Sequence, residues 1–570
     1  MELRPLAAVC LAVAAFAAPA SGAAVDTTRA QTADPAAPFT AELEVRQVEL
    51  EVTVTDAHGA PLRGLGRDDF RLFEDGEPVV IQHLSELGDA AAAQPATERP
   101  GVDGDVAPTH LVIFLDELHT SPGRRVELYR QLGEGLATRL PKGARVMVAR
   151  YEGGLQVILP FTVRGAAVAG TLEQATNFLS AQAMRGDSER VSVLDSIRED
   201  AREGPCLHGD ELARQYGERL RADAQQLLRT LDGMVGALDT VPGRKALLYV
   251  GDGVPPRPGE EALEFYIEMC TGEGLARGQQ EAKDTSTFAE GTRYHRPDPE
   301  KLRLESASYD MGDDWQRLAA RANGVGVPLH SLVLRTGASS SAAIEANERG
   351  PSNVVTAGSA LAAGDVGALL ADETGGRVLV ADGSIARQVD AVLAPRQGYL
   401  LGFAAPNPEN PRPRRMRVEV TRPGAKVHHR LSYTPVGGVW KVVDRLLAAL
   451  YLGAGENPLQ ISVVVEAARG EAPAKVRLQL PLERLTLVPS GDAVQGRFTV
   501  FVVTRDATGS LSPVRERAVP VRLPAGALAA AQQRDFVYEV ALPAAKVPRE
   551  VAVGVRDEVS GEIAFVRAAL

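Results

Sequence analysis

An unbroken apolar run at residues 111–115 ends at the carboxylate of Asp116. Such a run predicts a strand that is buried on both faces of a sheet. Ser121 and Pro122 follow, and this pair is typical of a helix N-cap and first helical residue. Asp116 is therefore predicted to lie at the carboxyl end of a central parallel strand, where open α/β sheets bind their ligands.

Apolar runs of strand length alternate with helical patterns between residues 111 and 403. The runs at 145–150 and 155–160 flank a Glu-Gly-Gly turn, which predicts an antiparallel pair within a mostly parallel sheet. This order indicates a doubly wound, Rossmann-like α/β domain at 108–405, with a Pro-, Gly- and charge-rich insertion at 253–312. The other predicted elements are helices near 122–140, 165–180 and 210–239, strand 246–250, helix 314–323, strand 328–334, helix 364–373, strand 377–380, helix 384–393 and strand 398–403.

The segment before this domain has the period-two pattern of a sheet. Residues 48–54 place Val and Leu on one face and polar residues on the other, which predicts a half-buried strand. A hairpin with an Asp-Gly turn is predicted at 70–81. These elements form an N-terminal β module at 41–87, and residues 88–107 are predicted to be a linker.

The pattern returns to strands after the α/β domain, within 406–435. Met416–Val420 and Val427–Tyr433 are predicted to pair with each other. The stretch 410–435 is expected to join the N-terminal β module, because both flank the α/β domain. Alternating runs with recurrent turns then indicate a sandwich. The two remaining predicted segments are a linker helix at 436–456 and a C-terminal β-sandwich at 457–570.

The amino terminus has the features of a secretory signal. Arg4 precedes an apolar run at 6–18, and small residues follow it, so residues 1–24 are predicted to be a signal peptide and residues 25–40 a flexible lead. No later segment reaches about 18 uninterrupted apolar residues. The mature chain is thus expected to be exported, periplasmic or extracellular, and without a transmembrane segment.

Composition and motifs exclude several classes of function. A net charge of -12 argues against nucleic acid as a partner, because phosphate binding needs a basic face. The sequence contains no G-x-S-x-G elbow, phosphate-binding loop, H-E-x-x-H or C-x-x-C motif. We therefore expect a protein that is not an enzyme.

The order of elements and the carboxylate after the first strand resemble a von Willebrand factor A (VWA) domain. The closer resemblance is to a bacterial family of secreted proteins that carry a divergent version of this domain. It covers most of the mature chain. The segments that carry it are 52–56, 64–65, 69–76, 114–116, 249–253, 398–403 and 553–557.

The resemblance implies a divalent-ion site of oxygen ligands. Such domains typically bind the ion through Asp-x-Ser-x-Ser after the first strand, a Thr from a later loop, and an Asp after the fourth strand. Asp116 and Asp252 match the two Asp positions, Thr120 replaces the second Ser, and Ser188 is the candidate for the Thr position. Leu118 occupies the first Ser position and offers no ligand. Because Mg²⁺ requires near-ideal geometry, this departure predicts weak or no metal binding, with Asp116 capping the following helix and Asp252 making a turn as the simpler interpretation.

Two cysteines lie outside the predicted signal peptide, Cys206 and Cys270. The predicted topology puts both at the same edge of the sheet as Asp116. A disulfide between them would pin the insertion over that edge, and oxidising compartments favour such a bond. Two separate, reduced cysteines are the alternative.

We therefore expect an exported, non-enzymatic protein-binding or scaffold protein with an unidentified protein partner. One alternative is Mg²⁺-dependent adhesion-type binding through Asp116 and Asp252. Another alternative is an exported hydrolase or a polysaccharide-binding envelope protein. No cofactor is required by the sequence, and Mg²⁺ or another divalent cation is the only candidate.

Overall fold

The computed structural model describes the chain from residue 47 onward, with gaps. The predicted signal peptide at 1–24, the lead at 25–40 and the linker at 88–107 lie outside the described residues. The described ranges are 47–58, 60–87, 109–120, 122–141, 143–178, 181–203, 206, 208–271, 299–333, 366–380, 385–393, 398–404, 412–435, 438–453, 455–466, 474–542 and 548–569.

Within these ranges, the secondary structure comprises strands β1–β22 and helices α1–α10. The strands are β1 (Gln47–Thr55), β2 (Phe70–Glu74), β3 (Glu77–Val79), β4 (His83–Leu87), β5 (Thr109–Asp116), β6 (Ala144–Tyr151), β7 (Leu155–Thr162), β8 (Arg244–Val250), β9 (Leu329–Val333), β10 (Val378–Val380), β11 (Gly398–Ala404), β12 (Arg414–Val420), β13 (Lys426–His429), β14 (Ser432–Tyr433), β15 (Ser462–Glu466), β16 (Lys475–Pro481), β17 (Val488–Ser490), β18 (Ala493–Asp506), β19 (Arg515–Pro524), β20 (Asp535–Ala541), β21 (Pro548–Asp557) and β22 (Ile563–Ala569). The helices are α1 (Pro122–Arg139), α2 (Gly165–Thr176), α3 (Ala181–Glu203), α4 (Gly209–Asp239), α5 (Glu260–Thr271), α6 (Pro299–Ala307), α7 (Gly312–Gly324), α8 (Ile385–Leu393), α9 (Gly438–Leu452) and α10 (Leu528–Ala531). Residues 366–374 are also helical.

The central sheet has the strand order β10-β9-β8-β5-β6-β7. All neighbours are parallel except β6 and β7, which are antiparallel as predicted. Strand β5 lies in the middle, and its apolar run at 111–115 is fully buried on both faces. Helices α1, α2 and α8 cover one face, whereas α4, α7 and α9 cover the other. The predicted doubly wound α/β fold is confirmed, but the strand predicted at 398–403 does not belong to its sheet. It is β11, which pairs antiparallel with β1 and β4, because its apolar residues Tyr399, Leu401 and Phe403 pack in the core of the β module.

Strands from before and after the α/β domain interleave in one β module. Strand β11 lies between β1 and β4, and β12 lies between β2 and β14. The two sheets enclose a common apolar core that includes Leu50, Leu72 and Tyr399. The hairpin at 70–81 forms, with left-handed backbone at Asp75 and Gly76 in its turn.

The expected pairing of Met416–Val420 with Val427–Tyr433 is wrong in detail. The second segment is split: β13 pairs with β1, and only β14 pairs with β12. Each sheet therefore takes one part of this segment. The physical reason is that β1 and β2 supply long apolar partners that a local hairpin would leave unpaired.

The C-terminal strands pack as two sheets around an apolar core that includes Val476, Phe498 and Val553. One sheet has the order β15-β16-β20, and β17, β18, β19, β21 and β22 form the other. Helix α9 lies between this sandwich and the α/β domain. Gly233 of α4 permits this approach, since a Cβ atom there would lie 3.3 Å from Leu447 of α9. Leu446 and Phe501 share one core with the α/β domain.

A small group of helices forms a second apolar cluster, which we term the helical cap. It consists of α3, the amino-terminal half of α4, α5 and α6, and its core includes Ile197, Tyr216 and Phe265. Helix α4 has 31 residues, so it is about 46 Å long. Its carboxyl-terminal half packs on the sheet and leads into β8. The cap therefore stands beyond the carboxyl edge of the parallel strands.

Two parts of this cap correct the sequence analysis. Residues 181–203 form α3, although no helix is predicted there. The predicted insertion at 253–312, for which no helix is predicted, contains α5 and α6 in its described residues. None of the helices within the described ranges has the length and apolar character needed to cross a membrane.

Candidate functional site

Asp116 is the last residue of β5 and is completely buried. Its Oδ1 atom accepts hydrogen bonds from the backbone N–H groups of Leu118 and His119, each at 3.0 Å. The chain thus folds back over the carboxylate directly after the strand. Thr120 tightens the same turn, since its hydroxyl donates to the carbonyl oxygen of Asp116.

The second carboxylate oxygen is also bound by side chains of this protein. Oδ2 of Asp116 lies 2.9 Å from Nδ1 of His119 and accepts the hydroxyl of Tyr249. A carboxylate offers about four lone-pair positions. Four donors therefore fill the carboxylate from within the chain.

An aromatic stack holds these donors in position. Phe114 lies between Tyr151 and Tyr249 at centroid distances of 5.9 and 6.0 Å. The register of β5 and β8 sets the second contact, because Phe114 and Tyr249 are direct neighbours. The ring of His119 stacks on Tyr151 at 6.4 Å with an interplanar angle of 14°. His119 is consequently fixed between a ring and a carboxylate.

The charged forms of Asp116 and His119 stabilise each other. Burial opposes ionisation of Asp116, but the charge and hydrogen bonds of His119 and the hydroxyl of Tyr249 outweigh it and lower the pKa of the carboxyl. Burial also opposes the charged form of His119, yet Asp116 and Asp223 together raise the pKa of the imidazole. Each group thus favours the charged form of the other. Burial and the charge of Asp116 hold the pKa of Tyr249 well above its usual range, so its hydroxyl remains a donor.

A second buried ion pair lies directly behind the first. The Glu117 carboxylate accepts from Arg125 and, at 3.2 Å, from the hydroxyl of Tyr129. Glu117 is fully buried and Arg125 is 1% exposed. The pair anchors the end of β5 to α1. Sequence reasoning missed it, although Arg125 and Tyr129 share a face of a predicted helix and could have indicated a partner.

The remaining predicted ligands have different surroundings. Gly251 lies against Asp116 and Thr120, because a Cβ atom there would lie 3.1 Å from each of them. Asp252 follows it at the same edge and is half-buried. Its charge acts on Tyr249. Asp116, Thr120 and Asp252 thus lie at one edge of the sheet.

Ser188 is the exception. It is exposed on α3, and its hydroxyl donates to the carbonyl oxygen of Met184 at 2.9 Å. No hydrogen bond joins it to Asp116. The assignment fails because residues 181–203 are helical and not a loop of the sheet edge.

The residues around Asp116 do not fit a divalent ion. The carboxylate oxygens of Asp116 accept four hydrogen bonds from the protein, so no lone pair is left for a cation. Leu118 supplies no ligand. In the described part of the chain, no group of three or more His, Cys, Asp or Glu residues is arranged to hold a metal ion.

A disulfide joins Cys206, before α4, to Cys270, near the end of α5, with their Cα atoms 6.1 Å apart. Both residues belong to the core of the helical cap. Asp223 of α4 connects the cap electrostatically with His119. The cap, the disulfide and the Asp116 site therefore lie at one edge of the sheet.

Comparisons with known proteins concern the fold alone. No family model and no curated protein matches the chain. It is similar to an aerotolerance-related membrane protein from Bacteroides fragilis, with 12% identity over 50% of this chain and 98% of that chain and a TM-score of 0.22. For the vWF domain of the type V pili tip protein Mfa5 from Porphyromonas gingivalis, the identity is 9%, the coverage 51% and 95%, and the TM-score 0.22. For the PilB minor pilin from Streptococcus sanguinis, these values are 11%, 52% and 64%, and 0.24.

Identities and scores of this size describe a loose likeness, so the assignment rests on the structure itself. The α/β domain has a doubly wound sheet, an antiparallel edge pair and a carboxylate at the end of its first, central strand. These are the features from which the resemblance was inferred. They agree with the fold that the resemblance to a VWA domain implies.

Proposed function

We propose that this chain is an exported, non-enzymatic protein-binding or scaffold protein that uses its VWA-related domain without a metal ion. The observation that carries the proposal is the filled carboxylate of Asp116. A cation could reach it only by displacing the imidazole of His119 and the hydroxyl of Tyr249. Both groups are held by the aromatic stack, and displacement would leave them without their partner.

The carboxyl edge is the surface that we assign to the partner. Open α/β sheets bind their ligands at this edge. Here the disulfide-bonded helical cap enlarges and stiffens it. The disulfide and the signal-like amino terminus both favour an exported protein.

Isothermal titration with Mg²⁺, Mn²⁺ and Ca²⁺ tests the metal-independent part. We expect no binding at millimolar ion for the wild type, and the same for Asp252→Asn. Binding that Asp252→Asn abolishes and the exposed control Asp535→Asn retains would establish the metal-dependent alternative. It would also reopen the hydrolase alternative, which needs the same ion.

A capture experiment tests the protein-binding part. The immobilised chain is exposed to a surface-protein extract of the source cells, with and without a chelator. We expect the same specific partner in both arms, and weaker capture when the cap is opened by replacing Cys206 and Cys270 with Ser. Loss of the partner in the chelator arm, or capture that is unchanged by opening the cap, would contradict the proposal.

A further inference from the structure

Three basic side chains lie in one row at the amino edge of the central sheet, the end opposite to Asp116. His110 of β5 is in register with Arg145 of β6 and Lys245 of β8. Residues in register on parallel strands point to the same face. Neighbouring strands are about 4.8 Å apart, so the row spans roughly 10 Å with His110 at its centre.

One ring nitrogen of His110 and the cationic groups of Arg145 and Lys245 have no hydrogen-bond partner in the described part of the chain. His110 is 5% exposed, and its Nδ1 atom has no hydrogen-bond partner. Among the described residues, neither Arg145 nor Lys245 forms a side-chain hydrogen bond or an ion pair within 4 Å. Buried polar atoms are normally paired, so an orphaned ring nitrogen beside two cations indicates a missing partner, and the two cations favour a partner that is negatively charged.

The row of three basic residues is buried at His110 and open to solvent at Arg145. The ring of Phe161 packs edge-on against His110 at a centroid distance of 5.0 Å and an angle of 78°. Arg145 is exposed and Lys245 is half-buried. A ligand could therefore reach the row from the solvent and contact His110 at its base.

The electrostatics of the row favour an anion. Burial, Arg145 and Lys245 lower the pKa of His110, whereas a hydrogen bond to the backbone of Arg244 raises it. Burial also lowers the pKa of Lys245, and the nearby carboxylate of Asp239 opposes this shift. Basic groups are thus concentrated at the amino edge of the sheet, although the net charge of the whole protein is -12. An anion would relieve the repulsion between them.

We propose that Arg145, His110 and Lys245 form a binding site for a phosphate-type oxyanion, either free or carried by a lipid headgroup. Arginine donates two parallel hydrogen bonds to such a group, and lysine adds a point charge. The negative charge of the anion favours the imidazolium form of His110, whose Nδ1–H is then a third donor for a third oxygen. A tetrahedral oxyanion meets three converging donors better than a planar carboxylate, which has only two oxygens.

Calorimetric titration of the full chain with inorganic phosphate, sulfate and acetate tests the site. We expect millimolar or tighter binding of phosphate and sulfate, and weaker binding of acetate. Arg145→Gln and Lys245→Gln should each weaken phosphate binding about tenfold, the effect of removing one charge-assisted hydrogen bond. His110→Phe, which keeps a ring against Phe161, should weaken it as well.

Arg244→Gln is the matched control, because it removes one positive charge from the same strand but on the opposite face. It should leave the affinity for phosphate unchanged. Absence of phosphate binding, equal affinity for acetate, or equal losses in the Arg145 and Arg244 variants would overturn the proposal.

Sedimentation with vesicles distinguishes the two sources of the oxyanion. If the ligand is a headgroup, phosphatidylglycerol vesicles should retain the wild type and release Arg145→Gln, while phosphatidylcholine vesicles retain neither. If the ligand is free phosphate, neither vesicle sediments the chain and the calorimetric result stands alone. Retention on phosphatidylglycerol that Arg145→Gln does not reduce, without phosphate binding in solution, would refute the site.

Discussion

The Nδ1 atom of His119 lies 2.9 Å from the Oδ2 atom of Asp116. Where the VWA resemblance implies a divalent cation, this chain places the imidazole of His119, whose pKa is raised by the charge of Asp116. The carboxylate is fully buried, and a buried charge without a partner is strongly unfavourable. The histidine therefore stabilises an aspartate that would otherwise need a metal ion or a proton.

Replacing His119 with Gln tests this relationship. The variant removes the imidazolium and leaves the buried carboxylate with a neutral neighbour. We expect the free energy of unfolding to fall by about 1–3 kcal/mol, the usual effect of removing a hydrogen bond to a buried charged group. Urea denaturation measures this. His83→Gln is the control, because His83 is exposed on β4. An equal effect of the two substitutions would contradict the assigned role.

Asp444 of α9 predicts a pH dependence of stability. Burial raises its pKa to about 6, although Arg321 opposes the shift. Between the ordinary value of 3.8 and about 6, the folded chain binds a proton that the unfolded chain lacks. The free energy of unfolding should therefore decrease as pH rises through this window, by about 3 kcal/mol in total.

The variant Asp444→Asn should flatten this part of the pH profile in chemical denaturation. The control is Asp535→Asn, an exposed position on β20, whose profile should follow that of the wild type. A slope in Asp444→Asn as steep as that of the wild type would show that other groups cause it.

Gly154 lies in the β6–β7 turn, where the β18–β19 turn packs so closely that no side chain fits. A Cβ atom at this position would lie 2.4 Å from the backbone of Gly509, which is in the turn between β18 and β19. Gly154→Ala should therefore separate the sandwich from the α/β domain, at a stability loss of about 1–3 kcal/mol. Thermal unfolding measures the loss. Gly526→Ala is the control, since nothing lies within 4 Å of a Cβ atom there; a similar change in both variants would contradict the clash.

The disulfide predicts local stabilisation of the helical cap. It closes a loop with a sequence separation of 64 residues, for which chain entropy gives about 4 kcal/mol. Replacing Cys206 and Cys270 with Ser should accelerate amide hydrogen exchange in α3 and α5 and leave β5 protected. Unchanged exchange in α3 and α5, or two free thiols in the exported wild type by mass spectrometry, would count against this role.

Local sequence patterns predict the structure correctly where residues that are close in the sequence are also close in space. The apolar run before Asp116 predicts the central strand, and the turns beside 145–150 and at Asp75 predict the antiparallel pairs. The edge position of Asp116 and Asp252 follows from topology, because parallel strands end at one edge.

Contacts across long sequence distances could not be predicted in this way. Tyr249 is 133 residues from Asp116, and nothing in either neighbourhood indicates that its hydroxyl fills the carboxylate. Helix α3 was missed because much of it is polar and exposed, so it lacks a strong apolar stripe. The partner of β13 depends on β1, which lies at the other end of the module.

The discontinuous β module also sets an order of events during synthesis. Strand β1 is complete at Thr55, but its partner β11 begins only at Gly398. Until β11 and β13 emerge, β1 presents two bare edges, which are prone to pair with other chains. The α/β domain can form its parallel sheet during this interval. Folding of that domain brings β11 towards β1, so β1 is the earliest described strand in the sequence but among the last to gain its partners.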